Sequence, residues 1–229
     1  MRDAPQQPTG IHHIAFMAGD IKKHIAFFSE VLGFPLVALF DMHGVPGGLH
    51  AFLRMNDYGY FSIVQLPGVD EIPIEIGRTH SGSGALPCAP GTMQHIAFRA
   101  GTEAELLALR DRVRSHGINV IGPIDHGMCR SIYFAGPDQM TLEIATSSEA
   151  IDADHWIDPT VLAKAGISAE EAARFRAPKP YDGPSPVAQP AYDPAKPHMV
   201  FPHDVYRKVL AMPDDVVTRT SSYAEPPVP

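Results

Sequence analysis

The chain has 229 residues, 45% of them hydrophobic and 19% charged, with a formal net charge of -8. This supports a sizeable core and argues against a general nucleic-acid binder, because no basic block interleaved with aromatics is present. No stretch approaches the roughly 18 apolar residues of a membrane span and no leader pattern opens the chain, so a cytoplasmic protein without a membrane partner is expected.

Residues 1–10 read as a flexible lead-in. Ile11–Met17 has the apolar density of a strand. Asp20 offers an N-cap, and Ile21, Ile25, Phe28, Val31 and Leu32 recur at helical spacing before Gly33 stops the helix. His24, on this helix, is expected to be exposed. Phe34–Phe40 reads as a strand, and His50–Met55 and Tyr60–Leu66 read as a hairpin around Asn56–Gly59. Residues 67–91, rich in Gly, Ser and Pro, form a linker.

The order then restarts. Met93–Arg99 is a strand, Glu103–His116 a helix closed by Gly117, and Ile118–Ile121 a strand. Cys129–Phe134 and Met140–Thr146 form a final hairpin. Tandem self-similarity of this kind predicts two copies of one βαβββ module, about residues 11–66 and 93–147, within a first domain of residues 1–148. The isolated cysteines Cys88 and Cys129 are expected to be free thiols.

More than half of the 23 prolines fall after residue 149. Residues 149–229 therefore read as a long, irregular, Pro-rich C-terminal extension. Two short helices are expected in it, over 168–176 and 203–212. Trp156, Phe175, Tyr192, Phe201 and Tyr206 would anchor it as a strap on the core or on a partner subunit in a homodimer.

The tetrapeptide His-Ile-Ala-Phe occurs twice, at His13–Phe16 and His95–Phe98. Glu143 interrupts the apolar run Met140–Ala145, where alternation separates it from Leu142 and Ile144. A carboxylate there would be costly to bury unpaired. Two histidines and one carboxylate on strands suit a divalent metal with open coordination positions. His13, His95 and Glu143 are the expected ligands. His12 is the rival for His13, and alternation would place it on the opposite face.

These segments, with Phe27–Phe34 and Tyr133–Ile144, resemble the vicinal oxygen chelate superfamily of glyoxalases, bleomycin-resistance proteins and extradiol dioxygenases. The resemblance covers about residues 11–147. It implies an α+β fold in which paired βαβββ modules form an open curved sheet around the metal, and His13, His95 and Glu143 match the family's ligands. Family glyoxalases usually add a glutamate on the last strand of the first module. Ser62 stands there, with Gln65 as a neighbour, so three protein ligands remain, a set suited to Fe(2+), with Mn(2+) or Zn(2+) as alternatives.

By the same resemblance, Tyr133 would donate a hydrogen bond to negative charge developing on a substrate oxygen, and His126 would move a proton. Arg54 occupies the place of an acid–base histidine of the extradiol enzymes, and His50, two residues away on the same face, could compensate. The leading expectation is an iron-dependent dioxygenase that cleaves the ring of a small aromatic diol chelating the metal, with dioxygen as co-substrate. A glyoxalase-type metal-dependent lyase or isomerase is the alternative. A non-catalytic small-molecule binding protein on the same scaffold is a third reading.

Overall fold

The computed structural model describes residues 7–200 and 202–228. Most of the expected lead-in, and Phe201, lie outside them. The first module runs β1 (His13–Met17), helix α1 (Ile21–Ala26), β2 (Leu36–Asp41), β3 (Leu49–Arg54) and β4 (Tyr60–Gln65). The second runs β5 (Ile96–Arg99), α2 (Glu103–Ser115), β6 (Val120–Asp125), β7 (Arg130–Ala135) and β8 (Thr141–Thr146). In each module the first and last strands pair in parallel and the other pairs are antiparallel, giving the orders β1-β4-β3-β2 and β5-β8-β7-β6.

Local chemistry sets the helix starts. The Asp20 carboxylate accepts from Lys23 N at 3.1 Å and caps α1, a bond that holds its acid below the usual carboxylate range. Gln65 Oε1 accepts from Ile21 N at 2.7 Å, satisfying a second free amide of the same turn. After Ala26 the coil widens into a π-helical turn, Phe27–Val31, which ends before Gly33 at φ 81°. A capping box between Thr102 and Glu105 starts α2.

The expected single curved sheet is not what forms. The chain holds two separate four-stranded sheets, and no strand of one pairs with a strand of the other among the described residues. Each sheet packs its own helix, α1 on β3 and β4 and α2 on β6–β8, and the two modules share one apolar core. Phe28 and Phe61 are fully buried with ring centroids 4.0 Å apart, and Phe98 of the second module lies 5.9 Å from Phe61 and 5.3 Å from Phe34. Burial of one face per sheet thus joins the modules without an edge-to-edge ladder. A curved sheet needs that ladder.

His24 is also not exposed. Its ring is fully buried, with Nδ1 3.1 Å from Asp20 O and Nε2 3.6 Å from the carboxylate of Asp138, in the turn between β7 and β8. The same carboxylate accepts from Gly19 N at 2.7 Å, so one aspartate of the second module binds the start of α1 in the first.

The Pro-rich C-terminal extension is not a single entity either. Helices α3 (Ala153–Trp156), α4 (Pro159–Lys164) and α5 (Ala169–Arg176) belong to the same compact unit as the two modules, which runs to Arg176. Residues 177–229 form a second unit with α6 (His203–Leu210) and α7 (Asp214–Ser221). In that unit the Tyr192 ring is flanked by His198, His203 and Tyr206. Among the described residues no helix is long and apolar enough to cross a membrane, and Cys88 and Cys129 are free.

Candidate functional site

Strand alternation gives each sheet a core face and an open face. On the second sheet Leu142 and Ile144 enter the core, while Glu143 stands on the open face opposite Tyr133 of β7 and Ala97 of β5. Glu143 is only 5% exposed. His95, just before β5, brings Nε2 to 2.9 Å from Glu143 Oε2, and its Nδ1 bonds to Gln94 Oε1. Tyr133 Oη lies 2.9 Å from His126 Nε2. Burial, and then the negative charge of Glu143, push the Tyr133 phenol above its ordinary value of 10.0 and keep it protonated at neutral pH. Four of the predicted residues therefore form a row: His95, Glu143, Tyr133 and His126.

The other three lie on the first sheet. His13 is exposed, its ring centroid 5.6 Å from Phe52 and its Nδ1 3.0 Å from His12 Nδ1. His12 precedes β1, so its ring lies beside His13 and not on the opposite face. His50 Nε2 is 2.6 Å from the buried Ser62 hydroxyl. Burial, with neighbouring His13 and His43, holds His50 below the usual 6.5. Arg54, at the end of β3, is exposed and pairs across the ladder with Tyr60.

The donor set can be tested against a metal. Two ligands about 2.1 Å from one ion and at a right angle to each other stand about 3.0 Å apart. The His95–Glu143 spacing of 2.9 Å matches that geometry. His13 is not with them, and no group of three or more His, Cys, Asp or Glu able to hold a metal gathers among the described residues. One chain presents a two-donor half-site and does not fit the expected three-donor centre.

Residues 10–144 match the Glyoxalase/Bleomycin resistance protein/Dioxygenase superfamily, more than half of the chain. The protein belongs to this superfamily. It is similar to the lactoylglutathione lyase of Pseudomonas aeruginosa, with 25% identity over 161 residues that take in 64% of this chain and 87% of the relative. Among solved structures it is similar to a glyoxylase/bleomycin resistance protein/dioxygenase domain from Frankia sp. EAN1pec, with a TM-score of 0.50 and 12% identity over 62% of this chain and 99% of that one. It is also similar to TnmS3, an antibiotic binding protein from Streptomyces sp. CB03234, with a TM-score of 0.43 and 23% identity over 62% and 98% of the two chains.

Within this superfamily member, sequence reasoning missed two polar residues. Asp138 ties the modules together from a turn at φ 48°. Gln94 precedes His95, and alternation would point it away, yet its side chain folds back onto the His95 ring. The 67–91 linker reaches the same region. Its residues Thr79–Ser81 line a cavity of about 240 Å³ together with Met17, His95 and Asp138.

Proposed function

We propose that this protein is a glyoxalase-type lyase or isomerase that moves a proton between adjacent carbons of a small substrate bearing two neighbouring oxygens. The observation that carries this reading is the row on the second sheet. His95 Nε2 and Glu143 Oε2 face each other at 2.9 Å, beside a phenol held protonated and bonded to an imidazole. Two acceptors at that distance call for a cation or a shared proton. Such chemistry needs no oxidant. Tyr133 donates a hydrogen bond to the substrate oxygen on which negative charge grows. With the phenol hydrogen given to the substrate, His126 Nε2–H donates to Tyr133 Oη, and its Nδ1, at the exposed end of the row, takes the proton and returns it. The likeness to a lyase supports the same reading.

The third metal donor, His13, comes in this reading from a second copy of the chain. Each open face then completes the half-site of the other copy. A divalent ion held by His13, His95 and Glu143 would supply Lewis acidity toward the two substrate oxygens. Ring cleavage of an aromatic diol with iron and dioxygen ranks second, because the relative matched over 87% of its length is a lyase.

The test is a substrate panel on protein reconstituted with Fe(2+), Mn(2+) or Zn(2+). Hemithioacetals and 2-oxo acids are followed by product formation, and catechols by an oxygen electrode. Turnover of a hemithioacetal or 2-oxo acid without oxygen uptake is the expected result. Oxygen consumption with a catechol, and no other turnover, would replace this reading with the dioxygenase. Tight binding with no turnover anywhere would make the protein a binding scaffold.

A further inference from the structure

Gln94 sits between the 67–91 linker and the histidine of the row. Its Nε2 lies 2.7 Å from Gly84 O and 3.4 Å from Leu86 O. Its backbone carbonyl accepts from the hydroxyl of Ser81, which is 1% exposed, at 2.6 Å. Its Oε1 meets His95 Nδ1.

The two carbonyls decide which way the amide faces. A carbonyl oxygen only accepts, so the group directed at Gly84 and Leu86 must be the NH2 end. The oxygen end then faces His95. An amide oxygen also only accepts, so His95 Nδ1 must carry a hydrogen. With a hydrogen fixed on Nδ1, Nε2, the atom 2.9 Å from Glu143, turns its lone pair to a cation where one stands between them and shares a proton with the carboxylate where none does. The orientation of one glutamine, set by loop carbonyls, thereby sets the tautomer of the histidine.

We infer that Gln94 is a positioning residue, which holds His95 in the Nδ1–H tautomer and couples that tautomer to the conformation of the 81–86 loop. This rests on the reading that His95 belongs to the functional site. It also gives the adjoining cavity a role. Gln94 and His95 line it together with Thr79, His80 and Ser81, so a small molecule seated there would meet both partners of the contact.

The experiment separates the two ends of the amide. Nitrogen-15 imidazole spectra are recorded on uniformly labelled, metal-free full-length protein at neutral pH, with His95→Gln identifying the His95 signals. Wild type should show His95 with hydrogen on Nδ1. Gln94→Leu removes the acceptor at Nδ1, so His95 should shift to the Nε2–H form that Glu143 favours. Gln94→Glu, which keeps an acceptor oxygen, should restore Nδ1–H. Hydrogen exchange at residues 81–86 should rise about tenfold in both variants, since neither keeps the NH2 donors. An unchanged His95 tautomer in Gln94→Leu, or unaltered exchange in both variants, would overturn the inference. None of these readouts needs turnover. If the substrate panel fails while the spectra behave as expected, the functional reading falls and the positioning role stands.

Discussion

At the scale of single residues, Glu143 and Tyr133 should separate cleanly although they stand opposite each other across β7 and β8. Glu143→Gln keeps the shape and removes the anionic donor beside His95. Metal affinity should fall at least tenfold and turnover nearly vanish, read by metal titration and steady-state kinetics. Tyr133→Phe removes only a hydroxyl. It should retain metal and lower kcat by about 10²-fold, the usual cost of one lost donor to a developing oxyanion. Unchanged metal binding and turnover in Glu143→Gln would remove it from the site.

His50 makes a prediction about stability. Burial and neighbouring His13 and His43 hold its folded-state value below 6.5. As pH falls, the unfolded chain takes up this proton before the folded protein does. The contribution is fully present above about pH 6.5 and is lost as pH drops from there toward the folded value. His50→Gln should therefore flatten the loss of stability between pH 7.5 and 5, measured by urea midpoints. An equally steep loss in the variant would show that other groups carry it.

At the scale of elements, the loop carrying His126 is braced from outside the modules. Gly127 has φ 80°, and a Cβ there would come within 2.7 Å of the Trp156 indole on α3. Gly127→Ala is thus strained in its backbone and blocked by a ring. The His126–Tyr133 bond should be disturbed and turnover reduced about tenfold or more, with metal binding intact. Full activity in this variant would show that His126 does not need the loop as it stands. Periodicity alone made most of the elements legible, because βαβββ modules bury one face of each strand and one stripe of each helix. It failed at His24, where a polar residue lies on the buried stripe. Nothing local announces the distant Asp138 that partners it.

At the scale of the whole molecule, the split of the donor set makes the sharpest prediction. If sites are completed between two copies, His13→Ala and Glu143→Gln should each be nearly inactive alone. A hybrid pair holds one intact site, with His13 from the Glu143→Gln chain and His95 and Glu143 from the His13→Ala chain. Refolding the two variants together in equal amounts should restore about a quarter of wild-type activity, since half of the random pairs are hybrids and each has one good site of two. No recovery, in a mixture shown to contain hybrids, would remove the shared site from the proposed function.

The sequence by itself determined the modules, their repeat and the superfamily, because these depend on alternation, helical spacing and short motifs that each strand or helix carries locally. It also brought forward Glu143 and Tyr133, paired by register on one sheet, and His95 and His126, which flank strands of the same module. Only the tertiary structure decided how the sheets meet. Alternation shows that each strand has an apolar face, and it is silent on whether two such faces pack together or two edges pair. The packing through Phe28, Phe61 and Phe98 joined the modules in one core without a ladder between the sheets. The hold of Gln94 on His95 was equally out of reach, since it depends on the carbonyls of Gly84 and Leu86, which only the folded linker carries to the amide.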